Sequence, residues 1–210
     1  MALLLTSCSD KALRWTPDYH TVRSGETLYS IAHSYDLDYR QLAQWNGLGD
    51  GTVIRSGQRL RLSPPGGVTG SSASAGKSRA QTPAVMRAPP WRWPTAGNVY
   101  LSFGQSQKTE SGIRITGQSG QAVIAAAAGE VVYAGSGLAS YGNLLIIKHN
   151  ETWLSAYGFN SALLVREHQE VAAGQNIARM GQDASGRSVL HFEIRRNGQP
   201  VDPLLYLPAR

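Results

Sequence analysis

The sequence predicts an α+β multidomain protein: a small βααβ unit, a Pro/Gly/Ser linker, and a mostly antiparallel β domain. Three observations predict it. Helical spacing of apolar residues is confined to the stretch just after residue 19. Six of the ten prolines, with a run of Gly, Ser and Ala, fall between 63 and 94. From 95 onward the chain breaks into short strand-like runs separated by glycine.

The boundaries that follow are 1–18 as N-terminus and short tether, 19–62 as the first domain, 63–94 as a flexible basic linker, and 95–210 as the second domain. Tyr19-His20-Thr21-Val22 reads as a strand. Ser24 is placed to cap a helix whose Leu28, Ile31, Ala32 and Tyr35 recur at helical spacing. Asp38 can cap a second helix carrying Leu42 and Trp45, and Asn46-Gly47 supplies its left-handed stop. Arg59-Leu60-Arg61-Leu62 alternates as a strand with one buried face.

The linker, from Pro64-Pro65-Gly66-Gly67 through Ser71-Ser72-Ala73-Ser74, cannot bury enough apolar surface to offset its ordering entropy. Behaving as a coil it spans about 30 Å, so two independently positioned domains are expected. Beyond it, strands are expected at Val99–Phe103, Gly112–Thr116, Glu130–Ala134, Asn143–Lys148, Trp153–Tyr157 and Leu190–Arg195, with a hairpin turn at Arg196-Asn197-Gly198-Gln199.

Composition removes several function classes. No run of 18 apolar residues occurs, which excludes a membrane-spanning helix. A single cysteine excludes a disulfide framework and a cysteine-based zinc site. The formal charge of +6 divides as 0 over 1–18, +1 over 19–62, +4 over 63–94 and +1 over 95–210. The excess lies in the linker, at Lys77, Arg79, Arg87 and Arg92, whereas nucleic-acid binding needs a basic face on a folded unit. Nucleic acid is therefore not an expected partner. A basic linker can hold loosely to anionic envelope polymers.

Leu5-Thr6-Ser7-Cys8 resembles the bacterial lipobox, although only four apolar residues precede it and no basic residue stands ahead of them. That resemblance implies lipidation at Cys8, with Ser9 implying sorting to the outer membrane of the periplasm.

Tyr19-His-Thr-Val-Arg-Ser-Gly-Glu-Thr-Leu-Tyr-Ser-Ile-Ala32, Leu42-Ala-Gln-Trp-Asn-Gly-Leu48 and Ile54-Arg-Ser-Gly-Gln-Arg-Leu60 together resemble a LysM domain over its whole length. The resemblance implies binding of peptidoglycan glycan strands between Ser24-Gly25-Glu26-Thr27-Leu28 and Ile54-Arg55-Ser56. Small residues there let backbone groups approach an N-acetyl group while apolar neighbours cover the sugar face. The residues alone leave open that Ser24 and Gly25 only cap and turn, and that Leu28 and Ile54 are core.

The second domain resembles the lysostaphin/LytM-type zinc endopeptidases from Pro94 to Pro208, through Gly129-Glu-Val-Val-Tyr-Ala-Gly135, Tyr141-Gly-Asn-Leu-Leu-Ile-Ile-Lys-His149 and Leu190-His-Phe-Glu-Ile-Arg195. Active members hold zinc with a His-x-x-x-Asp segment and the second His of a His-x-His segment, leaving one position for water. Here those frames fall on Glu110 to Arg114 and on Val189-Leu190-His191, and the family's further catalytic His, two residues after a Tyr, becomes Phe159 after Tyr157. One of the five functional positions survives, His191. A guanidinium cannot ligate a metal. No cofactor and no catalytic residue is expected, and His149 reads as a structural histidine.

The combination is most similar to the degenerate LytM-domain lipoproteins of the NlpD and EnvC type. That resemblance implies a non-enzymatic activator of periplasmic N-acetylmuramoyl-L-alanine amidases, its groove capturing a helix of the amidase through Glu110, Arg114, Tyr157, Phe159 and His191. The sequence leaves two alternatives: a zinc endopeptidase with altered ligands, and a passive peptidoglycan tether. It also leaves open that Glu110 pairs with Arg114 and that Phe159 fills space.

Overall fold

A computed structural model describes residues 17–49, 52–65, 86–106 and 111–210. Cys8, Glu110 and most of the expected linker lie outside the described residues.

The first unit has the expected order: β1 (Tyr19–Thr21), α1 (Leu28–Ser34), α2 (Tyr39–Trp45) and β2 (Arg59–Arg61), with β1 and β2 antiparallel. Leu28, Ile31, Leu42 and Leu60 bury their side chains almost completely to form its core. The cap of α1 is Thr27 rather than Ser24. Thr27 accepts from Ser30 N–H at 3.1 Å while Ser30 Oγ accepts from Thr27 N–H at 2.9 Å, a reciprocal box that satisfies two otherwise orphaned donors. Ser24 sits one turn too early to reach them. Asp38 caps α2 as expected, and Gly47 takes the left-handed stop at φ +65°.

The second unit is one antiparallel sheet. Its main path runs β3 (Val99–Leu101), β4 (Ile113–Thr116), β11 (Val189–Arg196), β8 (Trp153–Leu163), β7 (Asn143–Lys148), β6 (Gly129–Gly135) and β9 (Glu170–Val171). The short β5 (Ala122–Ile124) pairs with β10 (Asn176–Met180), and β12 (Gln199–Val201) closes a hairpin on β11. The expected turn is present, with both Asn197 (φ 50°) and Gly198 (φ 77°) left-handed. Strands β5, β9, β10 and β12 were not expected; each has only two to five residues, too few to show a period.

Both faces of this sheet are covered. Ile113, Leu145, Ile147, Leu190, Phe192 and Ile194 face the main core, while Val132, Leu144, Ile146 and Ala156 face the opposite side, where Tyr29 of the first unit packs on them. Alternate residues of one strand thus serve two different layers.

Two expectations change here. Residues 86–94 are not linker: Trp91 is 7% exposed, edge-on to His149 and Trp153, and Arg92 N–H donates to Ala126 O at 2.8 Å. Proline-rich composition masked a segment whose tryptophans supply the apolar surface for docking. The two domains are also not independently placed, because the first lies on the polar face of β11.

Candidate functional site

On the LysM-like unit, Val22 N–H donates to Gln58 O and Gly57 N–H to Val22 O, both at 2.8 Å, which sets the 54–58 segment beside the 23–28 loop. The two segments expected to hold glycan are therefore neighbours. Ser24, Gly25, Arg55 and Ser56 are exposed and Ile54 is half-buried. Leu28 is wholly buried in the core and cannot meet a sugar. Glu26 is committed to structure, its carboxylate 2.7 Å from both His20 Nε2 and Arg23 N–H. Thr27, besides capping α1, donates its hydroxyl to Val132 O of the β domain at 3.3 Å.

In the β domain, Arg114 stands opposite His191 across β4 and β11, and Gly158 stands opposite His191 across β11 and β8. Three adjacent strands thus gather Arg114, His191 and Phe159. Arg114 is nearly buried, donates from Nη1 to Asp183 Oδ2 at 2.9 Å, and lies 4.7 Å from the Phe159 ring centre. Phe159 holds φ 61°, unusual for a bulky residue, and is anchored by its N–H to Tyr141 O at 2.8 Å. Asp183 is held below its ordinary pKa: partial burial pushes it up, but the Ser185 hydroxyl and N–H, Arg187 N–H and Arg114 outweigh that.

Tyr157 does not belong to this surface. It is 0% exposed on the opposite face of β8, where its hydroxyl accepts from Ala126 N–H at 2.9 Å and stands 2.9 Å from Ser155. Neighbouring residues of a strand point to opposite sides, so Tyr157 and Phe159 share a face only if the strand is regular between them. The left-handed turn at Phe159 breaks that rule.

The same face of β11 carries His191, Glu193 and Arg195, at i, i+2 and i+4, all buried. Glu193 receives His191 Nε2 at 2.8 Å, Arg195 Nε at 2.7 Å, and His33 Nε2 of the first unit at 3.0 Å. Burial alone would raise the Glu193 pKa; Arg195 with the two histidines instead holds it well below the usual carboxylate value. Burial, then Arg195, holds His33 below its ordinary value against the pull of Glu193, and its Nε2 faces that carboxylate. Arg195 Nη1 continues to His33 O at 3.2 Å and Asp36 Oδ1 at 3.0 Å. Tyr141 lies beside both rings, 5.0 Å from His33 and 5.4 Å from His191 between centres.

Between the two units a cavity of about 790 Å³ remains, lined by His20, Arg23 and Tyr35 on one side and Arg114, Phe159 and His191 on the other. Three of the residues expected to contact a partner line it. His33, of the first unit, reaches this site through its bond to Glu193.

Family models match LysM domain over residues 20–63 and Peptidase family M23 over residues 108–203. A Pseudomonas aeruginosa protein named Lipoprotein NlpD/LppB homolog is 41% identical over 93% of this chain and 78% of its own length. The chain belongs to the NlpD/LppB lipoprotein family. Its other relatives include Escherichia coli Murein hydrolase activator NlpD, 37% identical over 91% of this chain and 68% of that protein. Escherichia coli lipoprotein YgeR is 38% identical over 100% of this chain and 90% of that protein. Among solved structures, Helicobacter pylori Csd3 has a TM-score of 0.50 and 26% identity, covering 57% of this chain and 33% of that one. A peptidase M23 structure from Pseudomonas aeruginosa, with a TM-score of 0.51 and 23% identity, covers 57% of this chain and 52% of that one and supports the shared fold.

Within this NlpD/LppB member, the residues do not fit the zinc of M23 peptidases. At the frame where a carboxylate would ligate stands Arg114, ion-paired to Asp183 under Phe159, and His191 Nε2 is spent on Glu193. Among the described residues no three His, Cys, Asp or Glu side chains are arranged to hold a metal. Also among them, no helix is long and apolar enough to cross a membrane.

Asp183 and Glu193 hold this cluster together and are not among the residues the sequence singles out. A signal for Glu193 existed: His191, Glu193 and Arg195 alternate with Leu190, Phe192 and Ile194, so one face of a central strand is wholly polar. Asp183 sits in a turn before β11 and carries no such pattern.

Proposed function

We propose that this chain is a peptidoglycan-bound activator of periplasmic N-acetylmuramoyl-L-alanine amidases that does no hydrolysis itself. In this reading Cys8 carries a lipid that anchors it to the outer membrane, and the LysM unit holds glycan strands through Ser24, Gly25, Thr27 and the Ile54–Ser56 segment. The observation that carries it is the Arg114–Asp183 pair beneath Phe159, which puts a cation and an aromatic ring where a peptidase needs metal ligands. A relative named murein hydrolase activator, matched along most of both chains, supports the same reading.

The groove left by the lost metal site offers what an amphipathic helix needs: an aromatic face at Phe159, charge at Arg114, and depth. Binding the open form of an amidase better than its closed form shifts the amidase toward activity by that difference in affinity. Glu110, outside the described residues, belongs to this surface in the proposal; Tyr157 does not.

Dye release from labelled sacculi tests the reading. Release is expected only when an amidase is added, and is expected to be untouched by zinc when the chain is alone. Chelator-sensitive release by the chain alone would overturn it.

A further inference from the structure

We propose that the LysM unit is a roof over the degenerate groove, and that glycan binding at its Ser24–Thr27 loop lifts it off and opens the groove to the amidase. The inference rests on the amidase-activator reading for the identity of the incoming partner, but not for the opening itself.

The end of α1 and the turn after it lie across the groove. His33 inserts beside His191 and Tyr141, and Asp36 pairs with Arg195. The contact continues outward, with Tyr39 donating to Glu151 at 2.6 Å and Arg40 to Asn197 at 3.0 Å. A helix docking over Phe159 would meet this cover.

Two features make the cover removable. Outside the Tyr29 patch its contacts are polar and ionic, and on separation Glu193, Arg195 and His33 regain water, unlike the continuous apolar surface of a permanent interface. Both units also keep cores of their own: Leu28, Ile31, Leu42 and Leu60 in one, the sheet's main core in the other.

The trigger follows from Thr27. This residue belongs to the expected glycan loop, yet its hydroxyl donates to Val132 O, and the adjacent Tyr29 packs on the Val132, Ile146 and Ala156 patch. Glu26 and Arg23, in the same loop, line the interdomain cavity. A sugar chain approaching Thr27 meets β6, so the loop cannot hold glycan across its length while docked.

Gly198 supplies a wedge that leaves groove and glycan loop untouched. Its φ is +77°, and a Cβ there would stand 2.3 Å from Leu37 O and 2.6 Å from Asp38 N of the LysM unit. Asn tolerates the left-handed backbone, so Gly198→Asn keeps the hairpin turn and forces the units apart. His33→Glu is a second opener, placing a carboxylate against Glu193.

The test uses the full chain carrying Cys8→Ser with spin labels at Val53→Cys and Leu205→Cys, positions 82% and 78% exposed on the two units. Chitotetraose is the glycan probe. The proposal expects one short, narrow distance without it, a longer and broader one at saturation, and the longer one without sugar in Gly198→Asn and His33→Glu. Amidase binding in the absence of peptidoglycan is then expected to tighten about tenfold with sugar or with either opener, as for a state only a tenth populated at rest. An unchanged distance at saturating sugar overturns the proposal, as does an opener that binds amidase no better than a parent that itself binds it. A distance that opens while no form binds any amidase sinks the amidase reading and leaves the release standing.

Discussion

His33 and Glu193 are 160 positions apart in sequence and 3.0 Å apart in space, one at the end of the LysM helix and the other in the middle of the β domain's polar strand face. Neither residue has a reason to be buried in its own domain. Each is covered by the other domain, so this contact ties the two units together.

Glu193→Gln is expected to destabilise the chain. The carboxylate neutralises Arg195 in a fully buried setting, and removing one partner of such a pair costs roughly 3–5 kcal/mol, leaving the half-exposed Asp36 as Arg195's remaining counterion. Urea unfolding checks it. A loss within about 0.5 kcal/mol, the scale of an ordinary surface change, would mean water reaches Arg195 freely.

Arg114→Ala is expected to separate groove from fold. Asp183 keeps its bonds from Ser185 and Arg187, so the structural cost is about 1.5–3 kcal/mol, the size of a charge-assisted hydrogen bond. Amidase stimulation is expected to fall about tenfold, equivalent to 1.4 kcal/mol of binding. Equal loss on changing Arg196, outside the groove, would deny Arg114 a specific role.

Periodicity made the two domain types legible, and Leu28, Ile31, Leu42 and the strand pattern of Asn143–Lys148 lie where the sequence puts them. The groove was legible through Arg114, Phe159 and His191, because a changed residue in a known frame is visible. Tyr157 was misplaced because the left-handed backbone at Phe159 has no sequence mark comparable to a glycine. The interdomain cluster was illegible for another reason: a polar strand face reads as solvent-facing until something covers it, and what covers it comes from a distant part of the chain.

Trp91→Ala is expected to cost about 3–4 kcal/mol, as for truncation of a buried aromatic. The ring closes the main core against Trp153 and His149 from outside the sheet. Deleting residues 86–94 is expected to cost at least as much, while shortening the 66–82 stretch leaves the melting temperature of the β domain unchanged. Thermal unfolding of the three variants decides whether the domain begins near 86 or at 95.

Stability is expected to fall as pH drops from 6.5 toward 4, and His149 supplies a separable part of the fall. Its Nδ1 donates to Ala128 O at 2.8 Å and its Nε2 stands 2.7 Å from Ser155 Oγ, whose hydroxyl donates to Tyr157. Burial lowers its pKa to about 4 from 6.5, outweighing the Ala128 bond that raises it. The folded state therefore binds the proton less tightly than the unfolded one, so this contribution is complete above pH 6.5 and is lost as pH falls through 6.5 toward 4. Allowing for the ring's partial exposure, the loss is on the order of 2 kcal/mol. His33 is also held below its ordinary value and adds to the same slope, so the parent curve alone does not isolate His149. The difference between the parent and His149→Gln does. That difference is expected to shrink steadily from pH 7 to pH 4; a difference constant across the window would mean that the His149 ring takes up its proton as readily folded as unfolded.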